Sequence, residues 1–396
     1  MSNLSGAFVN GFVDPKFAGV RTAFEENFTK RDELGGACCV YLNGEKVVDL
    51  WGGVRDPATD APWEEDTMVL VFSLTKGMSA LTLALAHSRG WLDYEARVAE
   101  YWPEFAQNGK EAITVRQLLA HQAGLHAIHQ KINRAIIADP NRLAAILARE
   151  APKWPPGTCN AYHFLSLGFY EGELLRRIDP AHRTLGQFFQ DEIARPLDLD
   201  FYIGLPSVIP NERLAPLTQA GLIKSVFGYP FPMIRALMNP WSDTFRACIV
   251  NLGAGVVMDK DRIYARDLEV PSGGGVGTAR AIAKAYSVFA TGASELGLQP
   301  EMLAALRAPA VPPSRGFFDE VLRDDAQYAL GFMKPFEGFS FGHADAFGAP
   351  GAGGSLGYAD PAIGLGYGYV TNRIGPGVEP DPRDVALREA ISAALA

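Results

Sequence analysis

A serine and a lysine three positions apart, Ser73 and Lys76, are the residues of this sequence best suited to chemistry. They stand at the start of a mostly apolar segment, from Leu74 to Leu92, that predicts a helix. Residues i and i+3 share one helix face, so the Lys76 amine would lie beside the Ser73 hydroxyl. A neighbouring base makes a serine nucleophilic, and burial makes a lysine a usable base. The pair predicts a nucleophilic serine, although a helix-capping serine beside a solvent-directed lysine gives the same pattern.

Tyr162 is a second candidate for proton transfer. It follows the rigid turn Pro155-Pro156-Gly157 and leads into an apolar segment that predicts a helix from Tyr162 to Tyr170. A phenol becomes a base when a buried ammonium group stabilises its phenolate. A core tyrosine that follows a helix-starting turn is the alternative interpretation.

A glycine-rich stretch at 347–361 contains a rival nucleophile, Ser355. Its glycines would let a ligand approach the backbone closely, or they mark a tight turn. Residues 353–357 match the G-x-S-x-G elbow of α/β-hydrolases, which needs a helix after the serine and a histidine further downstream. A strand-like run follows Ser355, and the last histidine of the chain is His343. The sequence therefore favours Ser73 over Ser355.

The composition excludes several classes of partner. The chain of 396 residues has 36 basic and 45 acidic residues and a net charge of -9, without a basic cluster that would bind nucleic acid or an anionic membrane. No apolar segment is long enough to cross a bilayer, and the first residues do not have the pattern of a secretory signal. Four cysteines in a chain of this length do not make a disulfide framework, so a reducing cytoplasm is expected.

The histidines predict no metal site. His121, His126 and His129 are close in sequence, but neither carboxylate nor cysteine ligands accompany them at a suitable spacing. Loop or core positions explain these side chains, and no cofactor is expected.

The predicted elements suggest a sheet built from both ends of the chain. Two apolar runs around Asn43-Gly44 predict a hairpin, and strand patterns return only at 328–333, 354–360 and 364–371. The chain between them is mostly helical, and a last helix closes it. The stretches 201–251 and 310–325, which are difficult to assign, are expected to supply the walls of a pocket.

The order of several short motifs gives this chain a family resemblance. The motifs are SLTK, LLAHQAGL, PPGTCNAY, YALGF and GAPGAGGSLGYADP, spread over most of the chain. Together they resemble the serine β-lactamase-like family, and in particular the family VIII carboxylesterases, relatives of class C β-lactamases and DD-peptidases. The resemblance implies an α/β domain of residues 1–78 and 260–396, with an antiparallel sheet flanked by helices. It also implies an inserted all-helical domain at 79–259, with the active site between the two domains.

The resemblance also implies roles for individual residues. Ser73 would be the nucleophile, Lys76 its hydrogen-bonded base, and Tyr162 a general base and later an acid. The oxyanion hole would be formed by the backbone N–H groups of Ser73 and Ala352. The remaining substrate contacts implied by the alignment are Ala349, Gly351 and Gly353.

Two departures from the family pattern bear on the substrate. The lactamase motif Y-x-N reads Tyr162-His163-Phe164 here, without the asparagine that recognises an amide. The K-T-G motif aligns with Ala349-Pro350-Gly351, without the cation that binds a β-lactam carboxylate. Both differences favour neutral esters.

The function predicted from the sequence is hydrolysis of a small, short-chain neutral carboxylic ester through an acyl-enzyme on Ser73, with neither metal nor cofactor. Three alternatives stay open. The chain could be a β-lactamase or D-amino acid peptidase, an acyltransferase that uses the same acyl-enzyme, or a catalytically silent binding protein on this fold. The sequence does not predict the oligomeric state.

Overall fold

A computed structural model of the chain describes residues 8–219, 230–251, 263–375 and 380–396. Its strands are short except in the hairpin near the N-terminus and in the late part of the chain. They are β1 (Val9–Val13), β2 (Gly35–Leu42), β3 (Glu45–Asp56), β4 (Ala61–Pro62), β5 (Val69–Leu70), β6 (Phe201–Ile203), β7 (Thr218–Gln219), β8 (Gly275–Gly277), β9 (Phe318–Asp319), β10 (Asp324–Asp325), β11 (Tyr328–Ala329), β12 (Phe332–Met333), β13 (Phe347–Pro350), β14 (Leu356–Asp360), β15 (Leu365–Thr371) and β16 (Arg373–Ile374).

Most of the helices lie between β5 and β11. In the described residues they are α1 (Ala18–Lys30), α2 (Leu74–Ser88), α3 (Val98–Tyr101), α4 (Val115–Leu119), α5 (Arg134–Ile137), α6 (Pro140–Arg149), α7 (Ser166–Ile178), α8 (Leu185–Phe189), α9 (Phe231–Leu237), α10 (Asp243–Cys248), α11 (Ala279–Ala290), α12 (Pro300–Arg307) and α13 (Pro382–Leu395). Among these residues, no helix is long and apolar enough to cross a bilayer.

The main sheet combines strands from both ends of the chain, as the sequence predicts. Its order is β1-β3-β2-β15-β14-β13-β12-β11, and β4 pairs with the far part of β3. All neighbouring pairs are antiparallel. The junction between the two ends of the chain is the pairing of β2 with β15, where Cys38 lies opposite Tyr369.

The sheet is covered on both faces. Cys38 and Cys39 are adjacent on β2 and point to opposite faces, and both are fully buried. Cys38 belongs to a core with residues of α1 and α13, whereas Cys39 belongs to the larger core with residues of α2 and α11. All four cysteines are buried free thiols.

Two tight hairpins shape the sheet. The predicted hairpin at Asn43-Gly44 is confirmed, with positive φ at both turn residues. The prediction of one continuous strand at 328–333 is wrong, because Leu330 and Gly331 both adopt positive φ and the segment folds into the hairpin of β11 and β12. The sequence Leu-Gly lacks the asparagine or aspartate that usually announces such a turn.

A small second sheet, β5-β8-β6, fixes the chain just before Ser73, because β5 ends three residues upstream. Helix α2 then runs without interruption from Leu74 to Ser88, across position 78 where the sequence predicts a domain boundary. The second predicted boundary, at 259–260, lies outside the described residues.

Candidate active site

Ser73 stands at the N-terminus of α2, directly after a strained residue. Phe72 has a φ of 47°, a left-handed conformation that costs a side-chain-bearing residue about 1–3 kcal/mol. Thr75 holds this turn, since its hydroxyl donates to the Phe72 carbonyl and accepts the N–H of Gly275 at 2.9 Å. Residues 74–86 are all buried, so the helix cannot rotate to move Ser73 away.

Lys76 is buried, with 2% of its surface exposed, and its amine lies against three oxygen atoms. Nζ is 3.2 Å from Ser73 Oγ and 2.8 Å from the carbonyl oxygens of both Phe164 and Ser272. Burial lowers the pKa of Lys76 to about 7, and the nearby Glu171 carboxyl opposes this shift. A neutral amine that donates its two N–H bonds to the carbonyls directs its lone pair at Ser73. The contacts therefore suit a base.

Tyr162 approaches Ser73 from the helical part of the chain. Its hydroxyl is hydrogen-bonded to Ser73, and Lys76 Nζ lies 4.7 Å from the centre of its ring. Burial raises the pKa of the Tyr162 phenol, while the bond to Ser73 opposes the increase. The resting phenol is therefore neutral, and it can give up a proton only as a charge develops beside it.

The backbone of Tyr162 is held by a residue that the sequence analysis missed. Tyr162 lies in a loop and α7 begins at Ser166, so the predicted helix forms but begins after Tyr162 rather than at it. The fully buried carboxylate of Asp319 accepts the backbone N–H of Tyr162, and also those of Val321 and Leu322 at 2.8 Å. These bonds replace the helical bonds that the local sequence suggests.

The turn after β13 brings a second backbone N–H group toward Ser73. Gly351 packs so closely on the chain before Ser73 that an added Cβ would lie 2.2 Å from the Val71 carbonyl oxygen. The backbone N–H groups of Ser73 and Ala352 have no acceptor among the described residues. Two free N–H groups at a nucleophile are the arrangement that binds a developing oxyanion.

A cavity of about 260 Å³ opens beside Ser73 and Tyr162. Gly351, Ala352 and Gly353 line it, whereas Ala349 does not. The Cβ of Ala349 lies 3.0 Å from where a Cβ on Gly77 would be, so Ala349 faces α2. Strand alternation thus turns its side chain away from the cavity, and the substrate contact predicted for Ala349 is not supported by its position.

The wall of the cavity is mostly apolar. Its large apolar side chains are Phe164, Met233, Leu237, Ile249, Leu322, Met333, Phe339 and Leu356. They come in part from the stretches 201–251 and 310–325, where the sequence predicts the walls. The ionisable side chains that line the cavity are those of Tyr162, Cys248, Asp381 and Asp384, and the described residues contribute no lysine, arginine or histidine side chain to it.

The family of the chain follows from its comparison with known proteins. The model of the beta-lactamase family matches residues 20–391. The chain belongs to the beta-lactamase family. This result confirms the resemblance drawn from the short motifs, and the fold described above is that of the family.

Three individual relatives narrow the class of this beta-lactamase-family protein. It is 34% identical over 381 residues to the esterase/beta-lactamase LipL of Mycobacterium tuberculosis, covering 93% of this chain and 84% of LipL. It superposes on the crystal structure of a family VIII carboxylesterase with a TM-score of 0.85 at 34% identity, covering 98% of this chain and all of the other. A penicillin-binding protein homologue from Caulobacter crescentus gives a TM-score of 0.82 at 34% identity, with the same coverage. The protein is thus a serine hydrolase of the esterase and beta-lactamase fold.

Ser355 lies in the same cavity of this beta-lactamase-family protein, but without the surroundings of a nucleophile elbow. Strand β14 begins at the next residue, where an elbow requires a helix. No histidine of the described residues lines the cavity. Within the described ranges, the cavity therefore offers Ser355 neither a histidine base nor the helix of an elbow.

A buried carboxyl behind Lys76 is a second residue that the sequence analysis missed. Glu171, on α7, is fully buried, and neither of its oxygens has a hydrogen-bond partner among the described residues. Burial raises the pKa of Glu171 to about 8. The signal in the sequence is a glutamate within the apolar face of a helix, which is rare without a partner.

Proposed function

We propose that this protein is a carboxylesterase that cleaves small neutral esters through an acyl-enzyme on Ser73. One observation carries the proposal: the Lys76 amine and the Tyr162 hydroxyl both contact Ser73 beside an apolar cavity that no described cation lines. The division of the chain into a sheet-bearing domain (1–78 and 260–396) and a helical domain (79–259) is part of the same proposal. Ser73 and Ala352 come from the sheet-bearing part and Tyr162 from the helical part, so the site would lie between them.

Acylation would begin with Lys76, whose pKa, lowered to about 7, leaves a substantial share of its amine neutral near pH 7. Its amine takes the Ser73 proton as Oγ attacks the ester carbonyl carbon and forms a tetrahedral oxyanion. The Tyr162 hydroxyl then gives its proton to the departing alkoxide, and the ester C–O bond breaks. The raised pKa of Tyr162 keeps the phenol protonated until the alkoxide forms, and the Lys76 ammonium stabilises the phenolate that remains.

Deacylation would return every group to its starting state. The Tyr162 phenolate takes a proton from water, and the resulting hydroxide attacks the acyl carbonyl. Ser73 Oγ then leaves and recovers its proton from the Lys76 ammonium. Tyr162 therefore acts first as acid and then as base, the reverse of the order that the family resemblance implies.

The oxyanion of both steps would be bound by the N–H groups of Ser73 and Ala352. Each such donor contributes about 10²–10³ in rate when it is aimed at the developing charge. Both N–H groups are free among the described residues, and a helix N-terminus lies behind that of Ser73.

The lining of the cavity supports neutral esters over β-lactams. A β-lactam carboxylate would meet Asp381 and Asp384, which are paired with Arg383 and Arg388 and therefore offer no attractive charge. The side chain three residues before Ala352, where the family pattern has its cation, is that of Ala349 and faces α2. Apolar acyl groups, in contrast, find a wall of aliphatic and aromatic side chains.

The proposal is tested with p-nitrophenyl butyrate and a chromogenic cephalosporin, using the wild type, Ser73→Ala and the matched control Ser355→Ala. We expect ester turnover in the wild type and in Ser355→Ala, and none in Ser73→Ala. Intact-protein mass spectrometry of the quenched reaction should show one butyryl group, absent from Ser73→Ala. Full ester turnover by Ser73→Ala would refute the assignment of the nucleophile.

The same assays decide between the esterase and the other activities that the fold allows. Cephalosporin turnover equal to ester turnover would contradict the argument from the missing cation. Transfer of the butyryl group to an added alcohol in preference to water would make the protein an acyltransferase. Absence of both turnover and acylation in a folded protein would indicate a binding protein.

A further inference from the structure

A buried arginine at the start of α13, Arg383, is hydrogen-bonded to the turn that contains Ala352. Gly353 and Gly354 have φ values of 94° and 112°, so the turn has a conformation that residues with a side chain rarely adopt. The Gly353 carbonyl oxygen accepts Arg383 Nη2 at 3.1 Å and the Gly375 N–H at 3.0 Å.

The guanidinium of Arg383 is itself fixed on every side. Nη1 donates to Glu33 Oε1 at 3.1 Å and to Thr371 Oγ1 at 3.2 Å, and Nη2 donates to Asp381 Oδ2 at 2.7 Å. Arg383 is 3% exposed and Glu33 side-chain exposure is 0%. Nη2 also donates to the Arg373 carbonyl oxygen at 3.0 Å, so the Gly353 carbonyl shares this nitrogen with two other acceptors. A planar fork held this way has little freedom to move.

Two peptide planes connect Arg383 to the N–H group of Ala352. The carbonyl that Arg383 binds belongs to the same peptide unit as the Gly354 N–H, which donates to the Gly351 carbonyl oxygen at 3.2 Å. That carbonyl in turn shares its peptide unit with the Ala352 N–H. In a trans peptide the C=O and N–H bonds point in opposite directions, so fixing each carbonyl fixes the next N–H.

We propose that Arg383 is a positioning residue that aims the Ala352 N–H at the substrate oxyanion through these two peptide units. Its charge also polarises the connected hydrogen bonds, which strengthens the last donor in the series. The inference rests on the proposed function, because it assumes that the Ala352 N–H binds the oxyanion formed on attack by Ser73.

The test compares Arg383→Met and Arg383→Lys with the control Asn27→Ala. Asn27 Nδ2 donates to the Arg383 carbonyl oxygen at 3.2 Å, so the control loosens the start of α13 but leaves the guanidinium bond to Gly353 in place. Lysine keeps the charge beside Glu33 and Asp381, but one ammonium cannot reproduce the arginine fork. Arg383→Lys therefore tests the inference if Arg383→Met does not fold.

We expect kcat for p-nitrophenyl butyrate to fall about 10–100-fold in both arginine variants, since a misaimed oxyanion donor loses part of the 10²–10³ that a donor contributes. KM should change little, because the oxyanion exists only in the transition state. Binding of butylboronic acid, which forms a tetrahedral adduct with Ser73, should weaken by the same factor as kcat. Asn27→Ala should keep the wild-type kcat and boronate affinity.

A wild-type kcat and boronate affinity in a folded Arg383→Lys or Arg383→Met variant would overturn the inference. An equal loss of kcat and boronate affinity in Asn27→Ala would also overturn the inference, because the effect would then come from a general loosening of α13. Ser73→Ala, measured alongside, separates this failure from failure of the proposed function. If Ser73→Ala is inactive while the arginine variants are normal, the esterase stands and the positioning role does not.

Discussion

Gly351→Ala is the substitution whose effect can be worked out most directly from the structure. The added methyl group would lie 2.2 Å from the Val71 carbonyl oxygen, and real Cβ contacts are essentially never shorter than 3.0 Å. The two backbone segments must separate by about 1 Å, a displacement that can cost about 10²-fold in rate when it misplaces a catalytic group. The displaced groups are the N–H of Ala352 and the nucleophile two residues after Val71.

The expected result is therefore a loss of about 10²-fold in kcat/KM for p-nitrophenyl butyrate, equivalent to about 2.7 kcal/mol of transition-state stabilisation. The loss should fall mainly on kcat, because the apolar cavity wall is untouched. Circular dichroism would establish that the variant is folded, since overpacking also costs about 1–3 kcal/mol of stability.

Gly273→Ala is the matched control for this prediction. Gly273 lies against the same turn, near Phe72, but the nearest atom to an added Cβ is 3.9 Å away and its φ is not positive. The control should keep activity within about twofold, since a surface-like change without strain has little effect. If Gly351→Ala retains wild-type kcat/KM, the close approach of the two segments does not serve the oxyanion, and the reasoning is refuted.

Three further predictions follow from the buried groups of the site. The pKa of Lys76 is lowered to about 7 and the neutral amine is the base, so kcat/KM should fall about tenfold per pH unit below pH 7. A pH–rate profile whose decrease begins only near pH 4.5 would contradict this. Asp319→Asn should lower kcat more than it raises KM, because the amide accepts the Tyr162 N–H less strongly; unchanged kinetics would contradict the positioning of Tyr162. The raised pKa of Glu171, about 8, keeps the folded side chain neutral where the unfolded one ionises, so the wild type loses stability as pH rises from 4.5 toward 8. In urea unfolding, the free energy of unfolding of Glu171→Gln relative to that of the wild type should therefore increase by up to about 3 kcal/mol from pH 5 to pH 8. An equal difference between the two proteins at both pH values would contradict this.

The sequence was most informative where the structure depends on short-range spacing. Ser73 and Lys76 are joined by one helical turn, so the apolar segment after them is enough to predict that their side chains meet. The hairpin at Asn43-Gly44 follows from local turn chemistry in the same way. The order of short motifs along the chain indicated the family, since each motif is weak alone and the series is specific.

Only the tertiary structure decided what surrounds these residues. The Lys76 amine is held by the carbonyl oxygens of Phe164 and Ser272, and the placement of Tyr162 depends on Asp319, all distant in sequence. No local pattern marks such partners, because a hydrogen bond between distant segments leaves no periodic trace in either one. The same holds for Arg383, whose contact with Gly353 closes a loop of 30 residues.

For Ala349, the sequence gives the residue type, and only the fold gives the direction of the side chain. The alignment of short motifs placed it in the position of a missing cation, and the residue type was read correctly from the sequence. Whether its side chain points toward the substrate depended on the register of β13 against β14 and on the packing of that strand on α2. A shift of one residue reverses the face of a strand, and only the folded sheet fixes that register.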